Sequence, residues 1–163
     1  MLHAHVELFT IGVYGKSEQQ FFHELSKARI DTFCDIRRRR GMRGSLYAFA
    51  NSQLLQLKLA SLGIKYRHFL RLSPSDAARR TQKLQDKTAG VGKRSRMELS
   101  EEFKALYKEE CLKQFSSDQL LADLGPDAQR IAFFCVESDH RACHRSLLAN
   151  RMASDLGIRV TNL

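Results

Sequence analysis

Three features of the sequence predict an α/β fold: a single Rossmann-like domain whose mostly parallel sheet is flanked by helices. Short apolar runs rich in β-branched residues alternate along the chain with segments of helical periodicity. Glycines and helix-capping residues separate several of these runs. The length of 163 residues is typical of one domain, so we assign residues 1–163 to a single domain.

The first half of the chain predicts three strands joined by two helices. The strands are expected at Val6–Val13, Ile30–Ile36 and Ile64–Phe69. Ser17 is expected to cap the first helix, in which Phe21, Phe22, Leu25 and Ala28 recur at helical spacing. Asn51 begins the second helix, which Gly63 ends. This order of strands and helices favours parallel pairing through right-handed crossovers.

Residues 73–97 interrupt the alternation. They are polar, basic and weakly periodic, and they include Gly90 and Gly92. The segment has too few apolar residues to form a core of its own. We therefore expect a basic flexible excursion at about 73–97 rather than a second domain.

The second half of the chain returns to regular patterns. Helices are predicted at about 99–114 and 117–124 and from about Cys143 to Leu156. Strands are predicted at Arg130–Val136, the most continuously apolar run, and at Ile158–Leu163.

The positive charge of the chain is concentrated in two segments. Residues 37–43 (RRRRGMR) hold five arginines and no acid, within a formal net charge of +9. Residues 71–96 hold eight lysines or arginines against Asp76 and Asp86. Such patches attract polyanions. We therefore expect the partner to be nucleic acid or a small anionic phosphate ligand, while the oligomeric state is left open.

The composition also bears on cellular location. No apolar run approaches the roughly 20 residues that a membrane helix needs, and the N-terminus lacks the pattern of a signal peptide. The four cysteines include no CxxC pair. We expect a cytoplasmic protein that has reduced thiols and no membrane partner.

Three polar clusters follow predicted strands: Gly12–Lys16, Asp35–Arg43 and Glu137–Arg145. In open parallel sheets, ligands bind beyond the carboxyl ends of the strands. The sequence therefore predicts that Asp35, Arg37, Glu137 and the Cys143–Arg145 segment meet in one crevice.

Cys143 and Glu137 carry the chemistry of the third cluster. A cysteine near a helix N-terminus and beside Arg141 and Arg145 has a stabilised thiolate, which suits a nucleophile; the alternative is that Cys143 only caps the helix. Glu137 follows a buried strand and suits a general acid or base, whereas Cys135 has the position of a core residue. His140 lies four residues before His144, but Cys143 and His144 are adjacent and should point apart on a helix. We therefore predict no metal and no cofactor.

The chain resembles the DUF488 family of small α/β proteins. The resemblance rests on Thr10-Ile11-Gly12, Asp35-Ile36-Arg37, Gly63-Ile64-Lys65-Tyr66, and Cys135-x-Glu137 followed by Cys143-His144-Arg145. It implies a Rossmann-like domain and no particular reaction. Two segments depart from the family pattern: Leu72-Ser73-Pro74 stands in place of Leu-Gly-Gly, and an arginine run follows Arg37 with only Arg43, Ser45 and Phe49 roughly in place.

Three functions fit these residues. The first is an enzyme acting on a phosphate-bearing substrate such as nucleic acid or a nucleotide. Its catalytic residues would be Asp35, Glu137 and Cys143, and its phosphate-binding residues would be Gly12, Arg37, Arg43, His144 and Arg145. The second is a nucleic-acid-binding module without catalysis, in which a fully paired Glu137 would be structural. The third is a thiol redox or sulfur-transfer protein that uses Cys143.

Overall fold

A five-stranded parallel sheet forms the centre of the molecule in the computed structural model, which describes residues 5–163. The strands are β1 (Glu7–Ile11), β2 (Thr32–Asp35), β3 (Lys65–His68), β4 (Arg130–Phe134) and β5 (Val160–Asn162). Their order across the sheet is β3-β2-β4-β1-β5, and each neighbouring pair is parallel. This arrangement confirms the predicted α/β class. Residues 1–4, part of the N-terminus in which no signal peptide was expected, lie outside the described residues.

Helices cover both faces of the sheet. They are α1 (Glu18–Lys27), α2 (Ser52–Ser61), α3 (Asp76–Thr88), α4 (Glu101–Tyr107), α5 (Ser117–Leu124) and α6 (His144–Leu156). The core on one face joins α1 and α2 to the sheet and is rich in phenylalanine. The core on the other face joins the sheet to α3, α4, α5 and α6. Within the described part of the chain, no helix is both long and apolar enough to cross a membrane.

Helix α3 corrects the expectation for residues 73–97. Ser75 caps this helix by accepting a hydrogen bond from the backbone N–H of Ala78, so the segment 76–88 is helical rather than irregular. Its buried residues are Ala78 and Gln82. The helix is amphipathic, but its buried face carries alanine and glutamine instead of large apolar residues, so the segment lacks the apolar stripe from which a helix is predicted. The Gln82 side chain accepts from the backbone N–H of Ser100 and so joins α3 to the start of α4.

Two further boundaries differ from the predictions. The helix expected at about 99–114 ends as α-helix at Tyr107 and continues as a π-helical turn, Lys108–Leu112. Strands were predicted one or two residues too long at every end except the start of β4, where Arg130 was predicted correctly, because apolar residues continue past the last ladder hydrogen bonds.

The sheet topology positions the carboxyl ends of three strands side by side. Phe134 at the end of β4 is in register with Asp35 of β2 on one side and with Ile11 of β1 on the other. The loops that follow β1, β2 and β4 therefore begin next to one another, at the edge where open parallel sheets bind their ligands.

Candidate active site

The candidate site lies where the chain leaves β4 and enters α6. This connection contains a short 3-10 turn, His140–Ala142. Cys143 follows that turn with an extended backbone (φ −140°, ψ 143°) and occupies the N-cap position of α6, but its side chain makes no capping hydrogen bond. The thiol is therefore not used as a helix cap and is directed to other partners.

Two sulfur atoms and an imidazole nitrogen meet at this position. Sγ of Cys143 lies 3.7 Å from Nδ1 of His144. Sγ of Cys135, Sγ of Cys143 and a ring nitrogen of His144 all lie within 4.8 Å of one another, and all three residues are buried. The expectation that Cys143 and His144 point apart is wrong, because Cys143 is extended rather than helical. Cys135 is also more than a core residue, since its thiol adjoins Cys143.

The imidazole of His144 is held in a defined orientation. Nε2 lies 2.9 Å from the carbonyl oxygen of Ile36, just after β2. A carbonyl oxygen can only accept, so Nε2 carries the hydrogen and donates it. In the neutral ring, Nδ1 then carries the lone pair, and this nitrogen faces the sulfur of Cys143.

The two thiols of this cluster differ in acidity. Burial disfavours the Cys143 thiolate, but the hydrogen bond from Cys135 and the electrostatic effects of His144 and Arg145 outweigh it and hold the pKa of Cys143 well below its ordinary value. That same hydrogen bond, together with burial, raises the pKa of Cys135 well above its ordinary value. The pair therefore favours a thiolate on Cys143 and a thiol on Cys135.

Glu137 is a buried carboxyl group that is only partly paired. Oε1 accepts a hydrogen bond from Arg96 at 2.8 Å and lies 4.0 Å from Nζ of Lys93. Oε2 is buried and has no hydrogen-bond partner among residues 5–163. Burial raises the pKa of Glu137, and the nearby charge of Cys143 adds to this effect. A raised pKa suits a carboxyl group that exchanges protons.

Arg96 closes the loop 89–100 over the site. Its Nη2 donates to Glu137 and to the carbonyl oxygen of Ala142 (2.9 Å), and its Nη1 donates to Asp86 of α3 (2.7 Å). One guanidinium thus links α3, the carboxyl group and the residue before Cys143. With the loop in this position, Cys143 is only 2% exposed. Nothing in the sequence pattern singled out Arg96.

Asp35 and Arg37 form a buried ion pair that leaves neither group free. Both oxygens of Asp35 accept from Arg37, at 2.9 and 2.8 Å, and one also accepts from the hydroxyl of Tyr66 at 2.7 Å. The remaining guanidinium nitrogen of Arg37 donates to the carbonyl oxygen of Ala50. The pair lies at the predicted edge of the sheet, but this bonding favours a structural role over catalysis or phosphate binding.

Arg145 and Gly12 also have structural partners. Arg145 is buried, and its two terminal nitrogens donate to the carbonyl oxygens of Glu137 and Ser138, which fixes the loop after β4, whereas its Nε is buried without a hydrogen-bond partner among residues 5–163. A Cβ on Gly12 would lie 1.9 Å from the Glu137 carbonyl oxygen. Gly12 is thus required for the close approach of two loops. This contact accounts for a glycine at position 12 without any need for phosphate binding.

Exposed basic residues occur in two loops at this edge of the sheet. Arg43, predicted to bind phosphate, is exposed in the loop after β2, as is Arg39. In the loop 89–100, the guanidinium of Arg94 lies over the rings of Tyr14 (5.1 Å) and Tyr47 (5.5 Å). Segments 37–43 and 93–96 therefore bring positive charge to the same edge of the sheet as Cys143.

A separate apolar groove lies against α2 and is not part of this site. It has a volume of about 650 Å³, and its lining includes Phe49, Leu54 and Leu57. The titratable side chains in its lining are those of Glu18 and Lys58. Its lining does not include Cys143 or Glu137.

These features define a class: a parallel α/β protein with a buried cluster of thiol, imidazole and carboxyl groups at the carboxyl edge of its sheet. The chain belongs to the family described as "Domain of unknown function DUF488", whose model matches residues 17–152. This match confirms the resemblance seen in the sequence. Comparisons with curated proteins and with solved structures give no match.

Proposed function

We propose that this protein is an enzyme that acts on a phosphate-bearing substrate such as nucleic acid or a nucleotide. One observation carries the proposal: a buried carboxyl oxygen, Oε2 of Glu137, has no partner among residues 5–163 and belongs to the loop that holds the cysteine and histidine cluster. An unpaired buried polar atom is costly in free energy and is rarely kept for stability alone. Its retention is explained if Glu137 exchanges protons with a substrate.

The roles within this proposal follow from the contacts. Glu137 is the general acid or base, and Cys143, beside His144 and Cys135, supplies the anionic sulfur of the site. Positive residues of the rim, which include Arg39, Arg43, Lys93 and Arg94, attract the phosphate groups. Opening of the Arg96 contacts would free Glu137 and the residue before Cys143 for a substrate.

A nucleic-acid-binding module without catalysis is the second candidate. It is favoured by a specific observation: Asp35, Arg37 and Arg145, which the sequence pointed to as site residues, all belong to a buried structural network. It predicts that Glu137 matters only for stability. Glu137 does make one ion pair, with Arg96, but its second oxygen remains unpaired.

The Glu137→Gln variant distinguishes the two candidates. Wild-type protein is incubated with a panel of short RNAs, DNAs and nucleotides, and products are identified by mass spectrometry while binding is measured in parallel. Loss of a general acid or base predicts a fall in turnover of about 100-fold or more with binding retained. The matched control is Glu98→Gln, an exposed carboxylate of the loop 89–100, which should turn over normally. Binding of nucleic acid without any turnover by the wild type would support the second candidate instead.

A further inference from the structure

We propose that Cys135, Cys143 and His144 bind one zinc ion and leave a fourth coordination position open. This inference deepens the proposed function and rests on it for the role of the metal, but binding itself can be tested separately. Three protein ligands of cysteine and histidine with one open position are the arrangement of catalytic zinc sites.

The distances fit a common metal centre. Zinc–sulfur bonds of about 2.3 Å and zinc–nitrogen bonds of about 2.0–2.1 Å in a tetrahedron separate the ligand atoms by roughly 3.5–3.8 Å. Nδ1 of His144 and Sγ of Cys143 are already 3.7 Å apart. The ligand atoms of all three residues lie within 4.8 Å of one another. A shift of less than about 1 Å in side-chain position would complete the tetrahedral spacing.

The orientation of His144 is that of a metal ligand. Histidines that bind metals usually donate their other ring N–H to a carbonyl or carboxylate, which fixes the tautomer and leaves a lone pair for the ion. Nε2 of His144 donates in this way to the carbonyl oxygen of Ile36, which leaves Nδ1, facing the sulfur of Cys143, free for an ion. This contact ties the imidazole to the residue after β2, whereas the sulfur atoms come from the residue after β4 and from the N-cap of α6.

Adjacent ligands are possible here because of the backbone at Cys143. Its extended conformation directs the thiol away from the helical path, whereas His144 is the first residue of α6. The sequence predicted no metal because adjacent residues on a helix point apart. That reason does not apply here, since Cys143 is not helical. Cys135, the third ligand, follows β4 directly and needs no helical geometry.

Glu137 could act as the general acid and base for a water molecule at the open coordination position. A carboxylate that is not a ligand serves as acid and base in zinc deaminases of nucleobases, which combine one histidine with two cysteines. In the proposed step, water at the fourth position transfers a proton to Glu137, and the hydroxide forms a bond to an electrophilic atom of the substrate. The bond to the leaving group then breaks, and the leaving group takes the proton from Glu137. The net reaction is hydrolysis and needs no other reactant.

Metal binding is tested directly on the full chain. The protein is purified under reducing conditions without a metal-binding tag, and zinc is quantified by mass spectrometry and by competition with a chromophoric chelator. We expect one zinc per chain. Cys135→Ser, Cys143→Ser and His144→Ala should each lower the zinc affinity at least about 100-fold, since even outer-shell changes cost 10–100-fold. The matched control is Cys111→Ser: Cys111 is also buried, but its thiol contacts the carbonyl oxygen of Ser73, and zinc binding should be unchanged.

Cobalt substitution gives a second measurement that does not depend on activity. Cobalt bound by two thiolates should give charge-transfer absorption in the near ultraviolet that decreases in Cys135→Ser and in Cys143→Ser and persists in Cys111→Ser. The proposal is overturned if fully reduced wild type takes up no stoichiometric zinc or cobalt. It is also overturned in favour of thiol redox chemistry if the protein isolates with a Cys135–Cys143 disulfide and remains unable to bind zinc after reduction.

Failure of the metal site and failure of the enzyme proposal give different results. If wild type and Glu137→Gln both bind zinc but neither turns over any substrate, the metal site is supported and the proposed function is contradicted. Turnover by a wild-type protein that takes up no zinc would defeat the metal site and leave the proposed enzyme function intact. Turnover that survives in zinc-free Cys135→Ser would show that the metal has no part in the reaction.

Discussion

At the scale of single residues, the backbone conformation of Cys143 decides what its side chain can contact. Sequence spacing indicated a cysteine at the start of a helix, and the structure has it at the N-cap of α6. The sequence did not indicate that an extended backbone would turn the thiol toward His144 and Cys135. Helix boundaries are uncertain by one or two residues in any prediction, and at this position that uncertainty decides which groups meet.

The two buried cysteines Cys143 and Cys111 should react with an alkylating agent with different dependence on pH. Burial, reinforced by Glu110 and only weakly opposed by Arg38, raises the pKa of Cys111 to about 11, so its thiolate fraction keeps rising up to pH 9. The pKa of Cys143 is lowered, so its thiolate fraction should level off at a pH below the roughly 8.5 of a free cysteine. Rates are measured by peptide-resolved mass spectrometry on reduced protein treated with a chelator. Equal tenfold gains per pH unit at both sites would contradict the assignment of the thiolate to Cys143.

Gly12 provides a test of the close contact between the loops after β1 and β4. In Gly12→Ala, the new methyl would lie 1.9 Å from the Glu137 carbonyl oxygen, a backbone atom that cannot move without shifting the site loop. We expect a loss of more than about 3 kcal/mol in the free energy of unfolding. The control is Gly41→Ala, where the nearest atom is a side-chain oxygen 3.8 Å away and the change should stay within about 0.5 kcal/mol. Similar unfolding midpoints in urea for both variants would show that the loops are farther apart than described.

At the scale of elements, a helix or strand was predicted correctly when its own sequence contains an apolar pattern or a capping residue. Strands β1 and β4 are apolar runs, and α1 has a capping serine and a phenylalanine face, so the sequence located them. Helix α3 buries alanine and glutamine instead of leucine, and its order depends on hydrogen bonds such as that between Gln82 and Ser100. Such contacts involve residues far apart in the chain and leave no periodic pattern. Arg96 was missed for the same reason.

Arg96→Ala should release the loop 89–100 from the site. The substitution removes the donors to Asp86, Glu137 and Ala142, and the Arg96 side chain is only 10% exposed, so solvent does not replace them fully. We expect amide hydrogen exchange in peptides covering 89–100 to become at least tenfold faster, which corresponds to about 1.4 kcal/mol of local stability. Arg80→Ala, at an exposed position of α3, should leave exchange unchanged. Unaltered protection in Arg96→Ala would mean that other contacts hold this loop closed.

At the scale of the whole molecule, the sheet topology was the most predictable feature of the site. Alternating strands and helices implied parallel pairing, and parallel pairing implied that the segments after β2 and β4 share an edge. Asp35 and Phe134 are indeed in register there. The partner of each side chain was not predictable, because it depends on loop paths. Thus Arg37 and Asp35 reach the right edge but pair with each other, and Cys143 pairs with a cysteine assigned to the core.

The distribution of positive charge predicts how nucleic-acid binding should depend on salt. Each phosphate contact on duplex DNA contributes a slope of about −0.9 to the dependence of log affinity on log salt. Replacing three exposed residues of the carboxyl edge with alanine (Arg39, Arg43 and Lys93) should therefore reduce the slope by about two to three units. The control triple variant removes the same charge from exposed residues at the opposite, amino edge: Lys27, Lys65 and Arg159.

The two triple variants have the same net charge, so a general effect of charge would change both slopes equally. A slope reduced only in the carboxyl-edge variant would locate the phosphates beside Cys143 and Glu137. Exposed charges contribute little to folding stability, so both variants should unfold at the wild-type midpoint, and affinity differences can be assigned to binding. If wild-type protein binds neither DNA nor RNA at about 50 mM salt, where phosphate contacts are strong, a small anionic substrate becomes the better assignment. The same Arg39, Arg43 and Lys93 variant should then weaken the binding of a nucleotide, because a single phosphate group is attracted by the same charges.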